Sequence, residues 1–228
     1  IENTNYGKTG VIFLPYYAEE LYHVKKEQLL HSIHLAINEA KRNGAKNISL
    51  AGNLPSLTNY CFSVISNLQQ HTFPVESINI TTGHSCTVVA VIKTIEKVLT
   101  EMELSIENLN IGVVGFGSIG QSSLNLLLHK LGAPSSIKIA DLSTQIPSLQ
   151  KPLEKLKRNY NGELSVIEIK TEIPDDFYLT DLIIGASSQG EILDVEKISS
   201  GTIIVYDSFP HIVNSRKAIK RMKKKKHV

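Results

Sequence analysis

The chain has 228 residues, of which 42% are hydrophobic and 20% charged. That is enough for one large or two moderate α/β domains, and it is far from the composition of disordered chains. The net charge of +2 hides a segregation: eight of the 24 Lys and Arg, and none of the 22 acids, lie from Arg216 onward, which leaves about −6 on the remainder. An evenly basic, nucleic-acid-binding surface is thereby excluded, and attraction to anions is confined to the end of the sequence.

Gly10–Tyr17 (GVIFLPYY) reads as a strand. Residues 19–42 read as a helix, with Leu21, Leu29, Ile33, Leu35, Ala36 and Ala40 on its apolar positions and Asn43-Gly44 as its stop. Asn47–Gly52 reads as a second strand, Pro55–Leu68 as a helix with Ser56 as candidate N-cap, and Ser77–Thr81 as a third strand. From Ser85 to Met102, Val88, Val89, Ile92, Ile95, Val98 and Leu99 mark one face of a long helix. Strands then alternate with helices: Asn110–Gly117, helix 118–131, Ser136–Asp141, helix 149–159, Leu164–Ile169, Asp181–Ala186 and Thr202–Asp207. This alternation predicts a Rossmann-type parallel sheet with right-handed crossovers. The expected organisation is an N-terminal α/β substrate lobe (1–84), a connecting helix (85–105), a Rossmann dinucleotide-binding domain (106–215) and a basic tail (216–228).

Two cysteines, Cys61 and Cys86, lack C-x-x-C spacing, which argues for a reducing, cytoplasmic setting. No apolar run approaches the roughly 20 residues of a membrane span. The first residue is Ile, so a polypeptide that continues beyond the given ends is expected. His31 and His34 share a helix face but have no accompanying carboxylate set, and Cys61 reads as core.

The sharpest motif is Gly115-Phe116-Gly117-Ser118-Ile119-Gly120, placed directly between a Val-rich strand and a helix. Gly115 permits the turn, Gly117 lets backbone approach a pyrophosphate, and Gly120 permits close helix packing. The helix start beyond offers free N–H groups to phosphate. Asp141, 21 residues after Gly120, ends the next strand where a carboxylate accepts from ribose hydroxyls. A 2′-phosphate would meet like charge there, and Leu142 to Gln145 offers no Arg to neutralise it, so NAD(H) is favoured, with NADP(H) kept open by the alternative role of Asp141. A purely structural role for Asp141, capping a loop, is the competing reading. Ala186 and Ser187, after Gly185, are small enough for close approach to a cofactor or simply for packing.

The stretch TTGHSCTVVAVIKTIEKVLTEMELSIENLNIGVVGFGSIG, Thr81 to Gly120, resembles cyanobacterial long-chain acyl-[acyl carrier protein] reductases, including their TTG-x-x-x-T segment; looser likeness extends to SLAGNLPSLTNYC and IIVYDSFP. It implies an NAD(P)H-dependent reduction of a carrier-bound acyl thioester to an aldehyde, with an acyl carrier protein as partner. Cys86 stands where that family has His, and the sequence stops before the region with the family's acyl-accepting cysteine. A more distant similarity is to the shikimate dehydrogenase and glutamyl-tRNA reductase group; His84-Ser85-Cys86-Thr87 stands at the shikimate enzymes' N-T-D-G segment, without its Asp.

Thioester reduction needs a thiolate to take the acyl group, and Cys86 at a helix start, with His84 two residues before it, is the candidate pair. Cys86 as a small packing residue, and His84 as a polar helix-start residue, are the plain alternatives. Ser56 and Thr58 either line a substrate cleft or start a helix. The tail from Arg216 is either a solvated terminus or a dock for an acidic partner such as a carrier protein. Two other functions fit the same motifs: an NAD-dependent dehydrogenase of a small hydroxy or amino acid, and a non-catalytic dinucleotide-binding module of a larger protein.

Overall fold

A computed structural model describes residues 1–5, 7–17, 20–70, 78–208 and 210–224, and its backbone divides into two units, Ile1–Gly83 and His84–Val228. The first unit opens with an antiparallel pair, β1 (Glu2–Thr4) and β2 (Gly7–Thr9), followed by helix α1 (Lys26–Arg42). Strand β3 (Asn47–Ser49), helices α2 (Leu54–Leu57) and α3 (Phe62–Gln70), and strand β4 (Asn79–Thr81) complete it, with β3 parallel to β4.

Several sequence expectations are corrected here. GVIFLPYY is not a strand: Val11, Ile12 and Phe13 are exposed, and only Leu14 and Tyr16 reach the unit's core. Pro15 removes a ladder donor from this run. Helix α1 begins at Lys26, after a single 3-10 turn at Glu20–Tyr22, and buries Leu29, Ile33 and Ile37, whereas Leu35 faces out. The helix expected over 55–68 is broken in two, because Asn59, Tyr60 and Cys61 take left-handed φ of 50°, 53° and 72°. Ser56 lies inside α2 rather than capping it, and buried Thr58 donates its hydroxyl back to Leu54 O at 2.7 Å, which bends a helix end. Cys61 is core, as expected. Ser77 lies outside the described residues.

The second unit begins with helix α4 (His84–Glu101), one residue earlier than the periodicity predicts, burying Val88, Val91, Ile92, Ile95 and Leu99; Val89, expected inside, is exposed. Strand β5 (Asn110–Val114) leads through the glycine turn into helix α5 (Ser118–Lys130). Then follow β6 (Ser136–Leu142), α6 (Gln150–Asn159), β7 (Glu163–Ile169), β8 (Leu182–Gly185) and β9 (Ile203–Tyr206). All five strands pair in parallel in the order β7-β6-β5-β8-β9, a Rossmann-type sheet.

Alternation along β5 builds the core on both faces. Ile111 and Val113 join Val91, Ile92, Ile95, Leu124 and Leu127 from α4 and α5 on one face; Val114 meets Phe177, Ile183 and Ile212 on the other. From the central pair β5–β8 the chain order runs outward in both directions. The carboxyl ends of β5 and β8 therefore flank the topological switch point, where open α/β sheets bind ligands.

Up to Lys224 the basic segment is helical. Residues Ser215–Lys224 form helix α7, whose first turn is capped by Asn214 Oδ1 accepting from Lys217 N–H at 3.0 Å.

Candidate functional site

The glycine turn at the switch point owes its shape to backbone contacts that leave no room for side chains. Gly115 has φ +84°, and a Cβ there would stand 2.7 Å from Ala186 O and 2.8 Å from Ser187 N. A Cβ on Gly120 would overlap Gly115 O. The start of α5, the turn and the end of β8 are thus stacked backbone to backbone. This explains why residues 185–187 are small: Ala186 and Ser187 lie against Gly115, while a Cβ on Gly185 would run into Ile212 and Tyr206.

Gly117 differs. It is the N-cap of α5 with φ −74° and ψ −162°, an extended conformation open to any residue. The first helical hydrogen bond runs from Gln121 N–H to Gly117 O (2.9 Å), so the N–H groups of Ser118, Ile119 and Gly120 precede the helical ladder and have no intrahelical acceptor. Glycine at 117 is therefore not required by backbone geometry.

Phe116 contributes backbone only, since its side chain is buried in the core cluster beneath α5. Its N–H donates to Asp141 Oδ2 at 2.6 Å, while Asp141 Oδ1 accepts from Leu142 N–H at 2.7 Å. Gln121 Nε2 donates to Phe116 O at 2.7 Å. Asp141 therefore braces the turn from the end of the neighbouring strand, and the loop-capping role is real. It coexists with the place expected of a ribose-binding carboxylate, because the same bond holds Asp141 beside the turn.

His84 Nδ1 lies 3.2 Å from Ser118 Oγ, joining the first residue of α4 to the first residue of α5. Burial pushes the imidazole pKa below its usual 6.5, and the carboxylate of Asp207, just beyond β9, pulls it partly back. In the sequence Asp207 reads as the end of the last strand, near the expected nicotinamide end, or as a mere turn residue; its electrostatic coupling to His84 is what the structure adds. A His whose folded pKa is lowered binds fewer protons folded than unfolded. Stability is then complete above pH 6.5 and declines as pH falls from there through the lowered folded value. An NMR titration of the His84 ring is expected to give a midpoint below 6.5, and Asp207→Asn is expected to lower it further. An unchanged midpoint in the variant would remove Asp207 from the site.

Cys86 is exposed in the first turn of α4. It does not form the expected pair with His84: positions i and i+2 lie about 200° apart around a helix, and His84 turns toward Ser118. Among the described residues no group of three or more His, Cys, Asp or Glu is placed to hold a metal ion.

The fold and turn together define a Rossmann-type α/β unit with a parallel five-stranded sheet. No family model matches the chain, and no curated protein does. Among solved structures it is similar to L-tryptophan dehydrogenase from Nostoc punctiforme at 15% identity and TM-score 0.49, over 88% of this chain and 52% of that one. Quinate dehydrogenase from Corynebacterium glutamicum in complex with NAD matches at 15% identity and TM-score 0.46, over 65% of this chain and 50% of that one. Shikimate 5-dehydrogenase from Listeria monocytogenes in complex with shikimate and NAD matches at 10% identity and TM-score 0.45, over 80% and 84%. The chain thus spans about half the length of the first two. Likeness at this level assigns no activity to it. The acyl carrier protein reductase family is not among these matches.

Proposed function

We propose that the second unit binds NAD(H) across the 115–120 turn and that the chain is a nicotinamide-dependent dehydrogenase of a small hydroxy or amino acid, with His84 as its acid–base residue. The observation that carries this reading is a turn closed to side chains at Gly115 and Gly120, opening on the unpaired N–H groups of α5 with Asp141 held beside it. Ser118, Ile119 and Gly120 would hold the pyrophosphate, Asp141 and Leu142 the adenosine ribose, and Ala186 and Ser187 would line the path toward the nicotinamide. The nicotinamide supplies or accepts the hydride when bound. His84, steadied by Ser118 Oγ and facing the charge of Asp207, exchanges the proton of the substrate's hydroxyl or amino group.

Fluorescence titration is expected to show NADH binding more tightly than NADPH, because a 2′-phosphate would meet the Asp141 carboxylate. Asp141→Asn is expected to weaken NADH about tenfold and narrow that preference, through the lost charge-assisted bonds to ribose. Equal affinity of the wild-type chain for both cofactors would refute the assignment of Asp141.

Carrier-bound acyl thioester reduction is the second reading, favoured by the exposure of Cys86 in the first turn of α4. Two variants separate the readings. If the substrate is a small acid, His84→Gln is expected to lower kcat by about a hundredfold or more while Cys86→Ala changes it little. If Cys86 takes up an acyl group, Cys86→Ala abolishes turnover and leaves NADH binding intact.

A further inference from the structure

We propose that α7 is an interfacial helix that seats the protein on an anionic phospholipid surface. The helix is held firmly in place. The Arg221 guanidinium donates to Val195 O and Ile198 O, Ala218 packs on the second core cluster, and Asn214, which caps the helix, donates to Glu191 Oε1 at 3.0 Å. Beside this anchored edge, Ile219 and Met222 stand at i and i+3 with 54% and 61% of their surface exposed. The rest of the exposed arc carries Arg216, Lys217, Lys220 and Lys223 and no acid.

A fixed helix with an apolar pair on one flank and cations on the other matches a charged interface above a hydrocarbon layer. The kind of cation favours lipid over protein. The segment from Arg216 holds six lysines and two arginines, and one of those arginines is spent inward on backbone carbonyls. Lysine is a hydrated point charge suited to a diffuse anionic surface, and it is depleted in protein interfaces, where arginine is enriched. The remainder of the chain is net acidic, so charge complementarity to an anionic surface is concentrated at this end. No helix among the described residues is long and apolar enough to cross a membrane.

Co-sedimentation of the full chain with vesicles tests this. Binding is expected with phosphatidylcholine vesicles containing about 30% phosphatidylglycerol, weakening as salt rises, and not with phosphatidylcholine alone. Lys220→Gln with Lys223→Gln is expected to lower the partition about thirtyfold. Ile219→Ser with Met222→Ser is expected to lower it about tenfold at unchanged charge. All four side chains are exposed, so melting temperature and NADH binding should be unaltered, which separates this proposal from the dinucleotide site. Absence of binding to the anionic vesicles would overturn it, as would undiminished binding by the Ile219→Ser, Met222→Ser variant. Retention on immobilised polyglutamate without vesicle binding would overturn it in favour of an acidic protein partner.

Discussion

Gly117→Asp is expected to leave the protein folded, with stability within about 1 kcal/mol of wild type, and to lower its affinity for NADH by at least about a hundredfold. Two independent observations separate these effects. The backbone at 117 is extended, with φ −74° and ψ −162°, and the residue is the N-cap of α5. Aspartate is among the best N-cap residues, because its carboxylate accepts from first-turn N–H groups, so the helix gains a cap where it now has none. Those same N–H groups are the ones proposed to receive the pyrophosphate. The new carboxylate would occupy them, fill the approach and repel the phosphate charge. Gly117→Ser, which caps without charge, is expected to give a smaller loss. Fluorescence titration with parallel thermal melts reads both quantities. Unaltered NADH affinity in a stably folded Gly117→Asp protein would mean that no phosphate crosses this turn.

The second unit was legible in the sequence because its strands are buried on both faces. NIGVV and LIIG are short apolar runs and SIKIAD carries buried Ile137, Ile139 and Ala140 around a single Lys138, so their type and order survive errors of one or two residues at their ends, and the structure places every one of them in the sheet. In the first unit, GVIFLPYY has the composition of such a run but pairs with no strand among the described residues, and composition alone cannot register a missing partner. The break at Asn59, Tyr60 and Cys61 was equally hidden, since left-handed φ at three successive residues other than glycine has no local signature.

The site divides along similar lines. Local spacing announced the glycine turn and Asp141, because each residue's role depends on its place in one βαβ unit. His84 and Asp207 lie 123 residues apart in the sequence. Their proximity depends on α4 packing across the sheet beside β9, which only the fold supplies. Sequence neighbourhood alone suggests pairing His84 with Cys86, whereas helix geometry sets two such residues just over half a turn apart and His84 Nδ1 lies by Ser118 Oγ. The basic tail was read by charge alone, and charge gave no hint that Ala218 and Arg221 would pin it as a helix.

Gly120→Ala is expected to destabilise the second unit by about 3 kcal/mol, lowering its melting temperature by roughly 10 °C. The added methyl would overlap Gly115 O, and Gly115 has no room to retreat, because its own α-carbon already faces Ala186 O and Ser187 N. All of these obstacles are backbone, so no rotamer change relieves the clash. Helix α5 would have to lift from β5, pulling Leu124 and Leu127, both fully buried, out of register with Ile111 and Val113. Helix propensity acts in the opposite direction and favours alanine by only about 1 kcal/mol, too little to offset the displacement. Ser122→Ala, an exposed position on the same helix, isolates that propensity gain and is expected to be neutral or slightly stabilising. Calorimetry on the pair decides the matter. A Gly120→Ala protein melting within about 2 °C of wild type would show that α5 does not rest on the turn as closely as described.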